Sequence, residues 1–206
     1  MLLRIAGINH FDVLGRDKLE QWFAAFAAER PGPSFLATEW DPIIFARVRE
    51  QRTHLRQLAA ERWPGFSDAL LNVLALSLGY EADSHLMSYP KVNVLWLDQG
   101  READQADIVH YADDRLALYA RFIGNRANIV NEDELQSAMS RAADNEAAGD
   151  GGIGARDRRF TDRIRARAQN NTWAFIIVGK RHAADEHGSM RRLLEQHGHV
   201  CQISLL

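Results

Sequence analysis

Two histidines in this chain each follow an apolar run and a glycine, near opposite ends of the sequence. The first Gly-x-x-His motif runs from Gly7 to His10, and the second runs from Gly179 to His182. Each is interpreted as a buried strand, a glycine that allows a tight turn, and a histidine just past the turn. Imidazole is a common transition-metal ligand and a general acid or base near neutral pH. The repeated motif therefore predicts a two-histidine site, whereas a single copy would more often be a loop residue.

Carboxylates end two other apolar runs and extend this set of candidate site residues. Glu39 follows the run 34–38, and Asp98 follows the run 92–97. If the strands are parallel, their carboxyl ends share one edge of the sheet, which is where open α/β sheets bind ligands. Residues on adjacent strands are about 5 Å apart and can share one metal ion or water, whereas residues two strands apart cannot. The strand order decides which residues cooperate, and the sequence does not give it.

Other charged residues have both a chemical and a structural interpretation. Asp41 precedes Pro42, so it is predicted to be a helix N-cap rather than a site residue. Glu81 lies in a short segment with Asp83 and His85, a spacing that suits binding of a hard metal ion or a sugar. The same spacing equally suits a solvated loop. Glu81 and Asp98 are the candidates for substrate binding.

Arg156 and Asp157 begin a helical pattern that leads into the fourth apolar run. The helix dipole favours an aspartate in the first turn, which explains Asp157 without a role in a site. The planar guanidinium of Arg156 suits a carboxylate or phosphate of a substrate. Position alone places Arg156 at the end of the sheet opposite the candidate site, unless the preceding segment folds over.

The elements that must position these residues are predicted from the hydrophobic pattern. Continuous apolar runs are typical of strands covered on both faces, and the longer patterns between them have helical spacing. The predicted strands are residues 2–7, 34–38, 92–97, 173–178 and 200–205. The predicted helices are residues 16–29, 42–63, 67–80, 102–123, 156–169 and 189–197. This alternation predicts an α/β fold over residues 1–206 as one domain, with a mainly parallel sheet, flanking helices and a helical middle section.

Composition limits the classes of protein to which the chain can belong. Its 206 residues suit one domain, and a net charge of −3 argues against a nucleic-acid partner. The one cysteine, Cys201, cannot form an intrachain disulfide and is predicted to be a small core residue. No signal peptide or membrane span is visible, so we expect a cytoplasmic protein without a membrane partner. The glycine-rich residues 142–154 are predicted to be a mobile loop or insert.

The order of several short motifs resembles that of the superfamily that includes the TraB/PrgY–Tiki, ChaN and erythromycin-esterase proteins. Residues 156–206 carry most of the resemblance, and the first 40 residues carry part of it. The motifs are Gly7-x-x-His10, Glu39, Arg156-Asp157-Arg158, Val178-Gly179-x-x-His182 and Leu193-Leu194-Glu195-x-x-Gly198. The resemblance implies an α/β protein in which His10, Glu39, Arg156 and His182 form one site. It implies several activities: metal-dependent peptide cleavage, ester hydrolysis, and iron or haem binding.

These observations lead to one main functional hypothesis and one alternative. The main hypothesis is a hydrolase of an ester or amide bond in a small molecule or peptide. His10 activates water as a base or metal ligand, Glu39 orients His10 or binds the metal, His182 is a second ligand or the acid, and Arg156 stabilises negative charge. A divalent transition metal held by His10 and His182 is the candidate cofactor. The alternative is a metal-, haem- or peptide-binding or regulatory protein of the same fold, and a homo-oligomer stays open.

Overall fold

The computed structural model describes residues 1–9, 15–32, 34–79, 86, 93–99, 110–124, 131–149 and 153–205. The strands in these ranges are β1 (Leu2–Ile8), β2 (Ser34–Thr38), β3 (Asn93–Trp96), β4 (Trp173–Gly179) and β5 (Val200–Leu205). The helices are α1 (Gly15–Ala28), α2 (Pro42–Arg62), α3 (Asp68–Leu76), α4 (Tyr111–Ile123), α5 (Glu132–Gly149), α6 (Ile153–Ala168) and α7 (Met190–Gln196).

The five strands form one parallel sheet in the order β3-β2-β4-β1-β5. The predicted α/β fold with a parallel sheet is therefore confirmed. β4 comes late in the chain but lies between β1 and β2, so that Ile176 is opposite Ile5 on one side and Ala37 on the other. The loops that follow β4 and β2 consequently lie next to each other at the carboxyl-terminal edge.

Both faces of the sheet are covered, which explains why the strands are continuous apolar runs. On one face, Phe160 and Ile164 of α6 and Leu194 of α7 belong to the same buried cluster as the strand residues. On the other face, α1 packs Phe23 edge-on against Phe175 of β4, with ring centroids 5.3 Å apart. Each such side chain stabilises the fold by roughly 1.5–3 kcal/mol when it is fully buried.

Helices α2 to α5 build a second apolar core, in agreement with the predicted helical middle section. The buried members of this core include Leu55, Leu74, Tyr119, Leu135 and Met139. The polar hydroxyl of Tyr119 is satisfied there by the Ser77 hydroxyl at 2.7 Å. The core is mainly apolar, but it also buries Gln51 and Arg52, which contact the Ala112 N–H and the Gly79 carbonyl.

Two helix starts in this section are capped by side chains, and the cap of α2 is the predicted Asp41. Asp41 accepts hydrogen bonds from the backbone N–H groups of Ile43 and Ile44, at 2.7 and 3.3 Å. The Ser67 hydroxyl accepts a hydrogen bond from the Leu70 N–H at the start of α3. These caps satisfy N–H groups that have no partner within a helix.

Several local predictions are wrong. Residues 142–149, predicted as part of a loop or insert, form the last turns of α5, and residues 153–154 begin α6. α5 was not among the predicted helices. Residues 102–109 of the predicted fourth helix lie outside the described residues.

Within the described residues, no helix is long and apolar enough to cross a membrane.

The glycine of each Gly-x-x-His motif lies within a strand or at its end, and Gly179 also begins the predicted turn, because its carbonyl accepts the His182 N–H at 3.0 Å. Gly7 lies within β1 and Gly179 ends β4, and neither has a positive φ. A Cβ on Gly7 would lie 2.7 Å from Leu205 Cδ2 and 2.9 Å from Ala183 Cβ. Gly7 is therefore required because other atoms pack closely against it.

Candidate functional site

The candidate site lies where β2, β3 and β4 end at the carboxyl-terminal edge of the sheet. Glu39 directly follows β2, and its backbone N–H donates to the Ile177 carbonyl of neighbouring β4 at 3.2 Å. His182 lies in the turn after β4, which is closed by its N–H donating to the Gly179 carbonyl at 3.0 Å. Because β2 and β4 are adjacent, the ends of these strands bring Glu39 and His182 together.

His182 is held in one orientation by a buried aspartate on α6. Its Nδ1 lies 2.9 Å from Oδ1 of Asp157, a residue with 0% exposure. The same Oδ1 accepts the backbone N–H of Met190 at 2.7 Å, at the start of α7. The Phe160 ring lies beside the imidazole, with centroids 5.1 Å apart. These contacts fix which nitrogen of His182 faces the carboxyl-terminal edge.

The Glu39 carboxylate joins the histidine to an arginine. Its Oε1 lies 3.6 Å from Nε2 of His182 and 2.8 Å from Nη2 of Arg156. Its Oε2 accepts the backbone N–H of Gly179 at 2.7 Å. The separation of 3.6 Å is longer than a hydrogen bond, so the contact between Glu39 and His182 is one of charge.

Arg156 connects Glu39 to the predicted substrate-binding residue Asp98. Its Nη2 lies 2.6 Å from Asp98 Oδ2, and the side chains of Arg156, Asp98 and Glu39 are only 20%, 12% and 13% exposed. β3 and β4 are not adjacent, so Asp98 is linked to His182 through Glu39 and Arg156. Arg156 therefore forms ion pairs with two carboxylates of the protein. From the sequence, its predicted role was to stabilise negative charge on a substrate.

The expected position of Arg156 at the opposite end of the sheet is wrong. α6 ends at Ala168 and β4 begins at Trp173, so the chain reverses direction within a short connection. The start of α6 therefore lies beside the end of β4, at the carboxyl-terminal edge. A helix that leads into a strand brings its first turn to that edge by this geometry.

The pKa of His182 is raised to about 9 by its neighbours. Burial alone has the largest effect and lowers the pKa, but the Glu39 carboxylate together with the hydrogen bonds and charge of Asp157 outweighs it. His182 consequently carries a proton at neutral pH. A metal ion binds the neutral imidazole, so it would have to displace this proton.

The structure brings together four of the predicted site residues, Glu39, Asp98, Arg156 and His182. His10 and Glu81 lie outside the described residues, together with Asp83 and His85 of the same segment. Among the residues that are described, no group of three or more His, Cys, Asp or Glu side chains could hold a metal ion. The metal site of His10 and His182 therefore stays a prediction.

Asp157 is a site residue that was not predicted from the sequence. It was explained by the helix dipole, but it is buried on the stripe of α6 that also carries Phe160, Thr161 and Ile164. This spacing of three and four residues was visible in the sequence. A charged residue on the apolar stripe of a helix is the signal that could have identified it, because such a charge needs a buried partner.

The two tryptophans beside the site carboxylates belong to an aromatic row. Phe45 of α2 contacts Trp40 and Trp96, with ring centroids 5.9 and 5.0 Å away. Trp40 also packs against the core of the helical section and closely against Gly79. These ring contacts pack the residues at the ends of β2 and β3 against α2.

Comparison of the chain with protein-family models, with curated proteins and with solved structures found no match.

Proposed function

We propose that this protein is a hydrolase that cleaves an ester or amide bond in a small molecule or peptide, with His182 as the proton donor. The observation that carries the proposal is the arrangement of the imidazole. Its Nδ1 contacts buried Asp157 at 2.9 Å, and its Nε2 faces Glu39 at 3.6 Å. A buried histidine held by a carboxylate and protonated at neutral pH suits general acid catalysis.

His182 acts when the bond to the leaving group breaks. Nε2 gives its proton to the departing oxygen or nitrogen, which takes the bonding electron pair from the carbonyl carbon. Asp157 keeps its hydrogen bond to Nδ1 throughout, so the ring does not rotate as it loses charge. The leaving group therefore departs as a neutral alcohol or amine.

Glu39 acts on the water molecule that attacks the carbonyl carbon. The water oxygen bonds to the carbon while Oε1 of Glu39 takes one of its protons. That proton then passes to Nε2 of His182, which restores both groups to their starting state and completes the addition of one water to the substrate. Oε1 and Nε2 lie 3.6 Å apart, so this return step requires a bridging water molecule or a small approach of the two side chains.

Arg156 and Asp98 position Glu39 rather than contacting the reacting atoms. Arg156 fixes Oε1 at 2.8 Å, while the Gly179 N–H fixes Oε2. Oδ2 of Asp98 contacts the same Nη2 atom at 2.6 Å and so holds the guanidinium in place. The carboxylate is therefore presented in one orientation, which favours a fast reaction because less freedom is lost in the transition state.

The first experiment is a rate measurement on panels of chromogenic esters and amides, with the wild type, His182→Ala and the matched control His187→Ala. His187 is an exposed histidine of the loop that follows His182. We expect kcat to fall by about 10²–10⁴-fold in His182→Ala, and to change little in His187→Ala. Wild-type protein without activity on both panels would overturn the proposal.

A second pair of variants identifies the base. Glu39→Gln keeps the shape of the side chain and removes its charge, whereas His10→Asn changes the other candidate base. Loss of kcat in Glu39→Gln with activity retained in His10→Asn supports the scheme above. The reverse result would assign the base to His10 and contradict the role of Glu39, with folding of each variant checked by circular dichroism.

A further inference from the structure

β5 is an edge strand of the sheet that lacks the protection usual for such strands. Among the described strands it pairs with β1 alone. Its sequence, Val-Cys-Gln-Ile-Ser-Leu, has no charged residue and no proline, and the terminal residues Val200 and Leu205 are 62% and 56% exposed. Edge strands are commonly protected by lysine, proline or a bulge, because their free backbone groups can pair with another chain.

The direction of the backbone groups in β5 follows from one hydrogen bond. The Val200 N–H donates to the Met1 carbonyl at 3.1 Å, toward β1. Backbone groups alternate in direction along a strand, so Gln202 and Ser204 also point toward β1. The N–H and C=O groups of Cys201, Ile203 and Leu205 therefore point away from β1, toward the open edge.

The two faces of β5 carry side chains of different polarity. Cys201 and Ile203 pack against the buried cluster on the face covered by α6 and α7. Leu205 lies on that face as well, because its Cδ2 approaches the position of a Cβ on Gly7. Gln202 and Ser204 alternate with them and lie on the other face. One face of β5 is therefore apolar, and the other carries Val200 together with the Gln202 amide and the Ser204 hydroxyl.

We propose that β5 pairs antiparallel with β5 of a second copy of this chain, with Ile203 on the two-fold axis. In this register Ile203 lies opposite Ile203, and Cys201 lies opposite Leu205. These are the residues whose backbone groups point outward, and each facing pair exchanges two hydrogen bonds. The product is a continuous sheet with the strand order β3-β2-β4-β1-β5-β5-β1-β4-β2-β3.

Self-complementarity identifies the partner as a second copy. The same register that aligns the outward backbone groups also places apolar side chains opposite one another on one face. On the other face it places the Gln202 amide opposite the Ser204 hydroxyl, where the two can form hydrogen bonds. β5 contains no charge, so no like charges meet at the axis. The strand thus matches itself in backbone, polarity and charge, as a two-fold interface requires.

The first test is the mass of the protein in solution, measured by analytical ultracentrifugation over a range of concentrations. We expect the wild type to be a dimer, and Ile203→Lys to raise its dissociation constant by about tenfold or more, because two lysines face each other at the axis. Val200→Lys is the matched control on the same strand, since Val200 lies three residues from the axis, where the two new lysines do not face each other. A wild-type monomer, or equal weakening by both variants, would contradict the proposal.

A second test does not depend on how well Ile203→Lys folds. In Leu205→Cys, the new thiol lies opposite Cys201 of the other copy, at the separation of about 5.5 Å between Cα atoms that a disulfide accepts. Mild oxidation with diamide should therefore give a covalent dimer on a non-reducing gel. Leu205→Cys combined with Cys201→Ser should give none. Equal crosslinking in both proteins would show a different register and would reject the interface centred on Ile203.

Discussion

The carboxyl-terminal edge of the sheet and the helical section of α2 to α5 bury their side chains in different ways. The helical core is built from apolar residues such as Leu55 and Leu74, both with 0% exposure. At the sheet edge, Asp157 has 0% exposure and His182 has 4%, and both are ionisable. Apolar burial stabilises a fold by itself, whereas buried charges cost free energy unless each has a partner.

This difference separates the parts of the chain that maintain the fold from those that could do chemistry. Replacing a buried ion pair by apolar side chains is often neutral or stabilising. Apolar residues in place of the edge cluster would therefore give a fold that is at least as stable. Its five ionisable side chains come from β2, β3, α6 and the turn after β4. Their convergence is therefore better explained by function than by stability.

The largest loss of stability is expected when one buried residue of either region is replaced by alanine. Asp157→Ala removes the partner of a buried protonated histidine and of the Met190 N–H, and should lower the free energy of unfolding by about 3–5 kcal/mol. Leu74→Ala in the helical core should cost about 2–5 kcal/mol by leaving a cavity. Urea unfolding measures both values.

The two costs should differ in their dependence on pH. The cost of Asp157→Ala should shrink above pH 9, because His182 is then neutral in the wild type, whereas the cost of Leu74→Ala should stay constant. If both costs are independent of pH, the charge of His182 does not contribute to stability at the sheet edge, and the two regions are stabilised by the same kind of interaction.

The next effect concerns the pH dependence of the wild type. The pKa of His182 is about 9 in the folded protein and 6.5 ordinarily, so the native state binds the proton more tightly. The resulting stability is complete below pH 6.5 and is lost as the pH rises through 9. It amounts to about 3 kcal/mol at 1.36 kcal/mol per pKa unit. Unfolding of the wild type and His182→Gln between pH 6 and 10 should show this loss in the wild type alone.

A third effect compares ion pairs in the two regions. Arg156→Ala removes the cation that Glu39 and Asp98 both contact, and should cost about 2 kcal/mol, since the cluster is only partly shielded from water. Arg56→Ala removes an exposed pair with Asp68 in the helical section and should cost less than about 1 kcal/mol. Thermal unfolding of both variants measures the two costs. Equal decreases in melting temperature would argue against a buried cluster.

A smaller effect than that of Arg156→Ala is expected at a helix start in the helical section. Asp41→Ala removes two hydrogen bonds at the beginning of α2 and should cost about 1 kcal/mol. Asp41→Asn, which can also cap a helix, should cost less. Because this aspartate is a cap and lies outside the edge cluster, hydrolysis rates should not change. A large loss of activity in Asp41→Asn would extend the site beyond the cluster.

Much of the fold could be predicted from the sequence, because buried parallel strands are continuous apolar runs. The prediction matched β2 and β5 to the residue, and the other three strands within one residue at each end. α5 was missed because two of its buried residues, Ala138 and Ala142, give a weak apolar signal next to many polar neighbours. Alanine is found on buried and exposed faces alike, so the period of the helix was hidden.

The site could be predicted only in part. Glu39, Asp98 and His182 were found because they follow strands, and the parallel sheet brings such residues to one edge. The contacts among them could not be predicted, because they depend on β4 lying between β1 and β2. Pairing of strands distant in sequence leaves no local signal. The buried role of Asp157 was missed because the predicted helix placed it in the first turn, whereas α6 begins earlier, at Ile153.

The place of β4 in the sheet has a consequence for how the chain is made. Among the described strands, β1 pairs only with β4 and β5, which both follow the whole helical section. On the ribosome, β1 therefore emerges long before its partners, while α2 to α5 can already pack. The apolar β1 segment must therefore avoid aggregation through most of translation, before the strands that pair with it have been made.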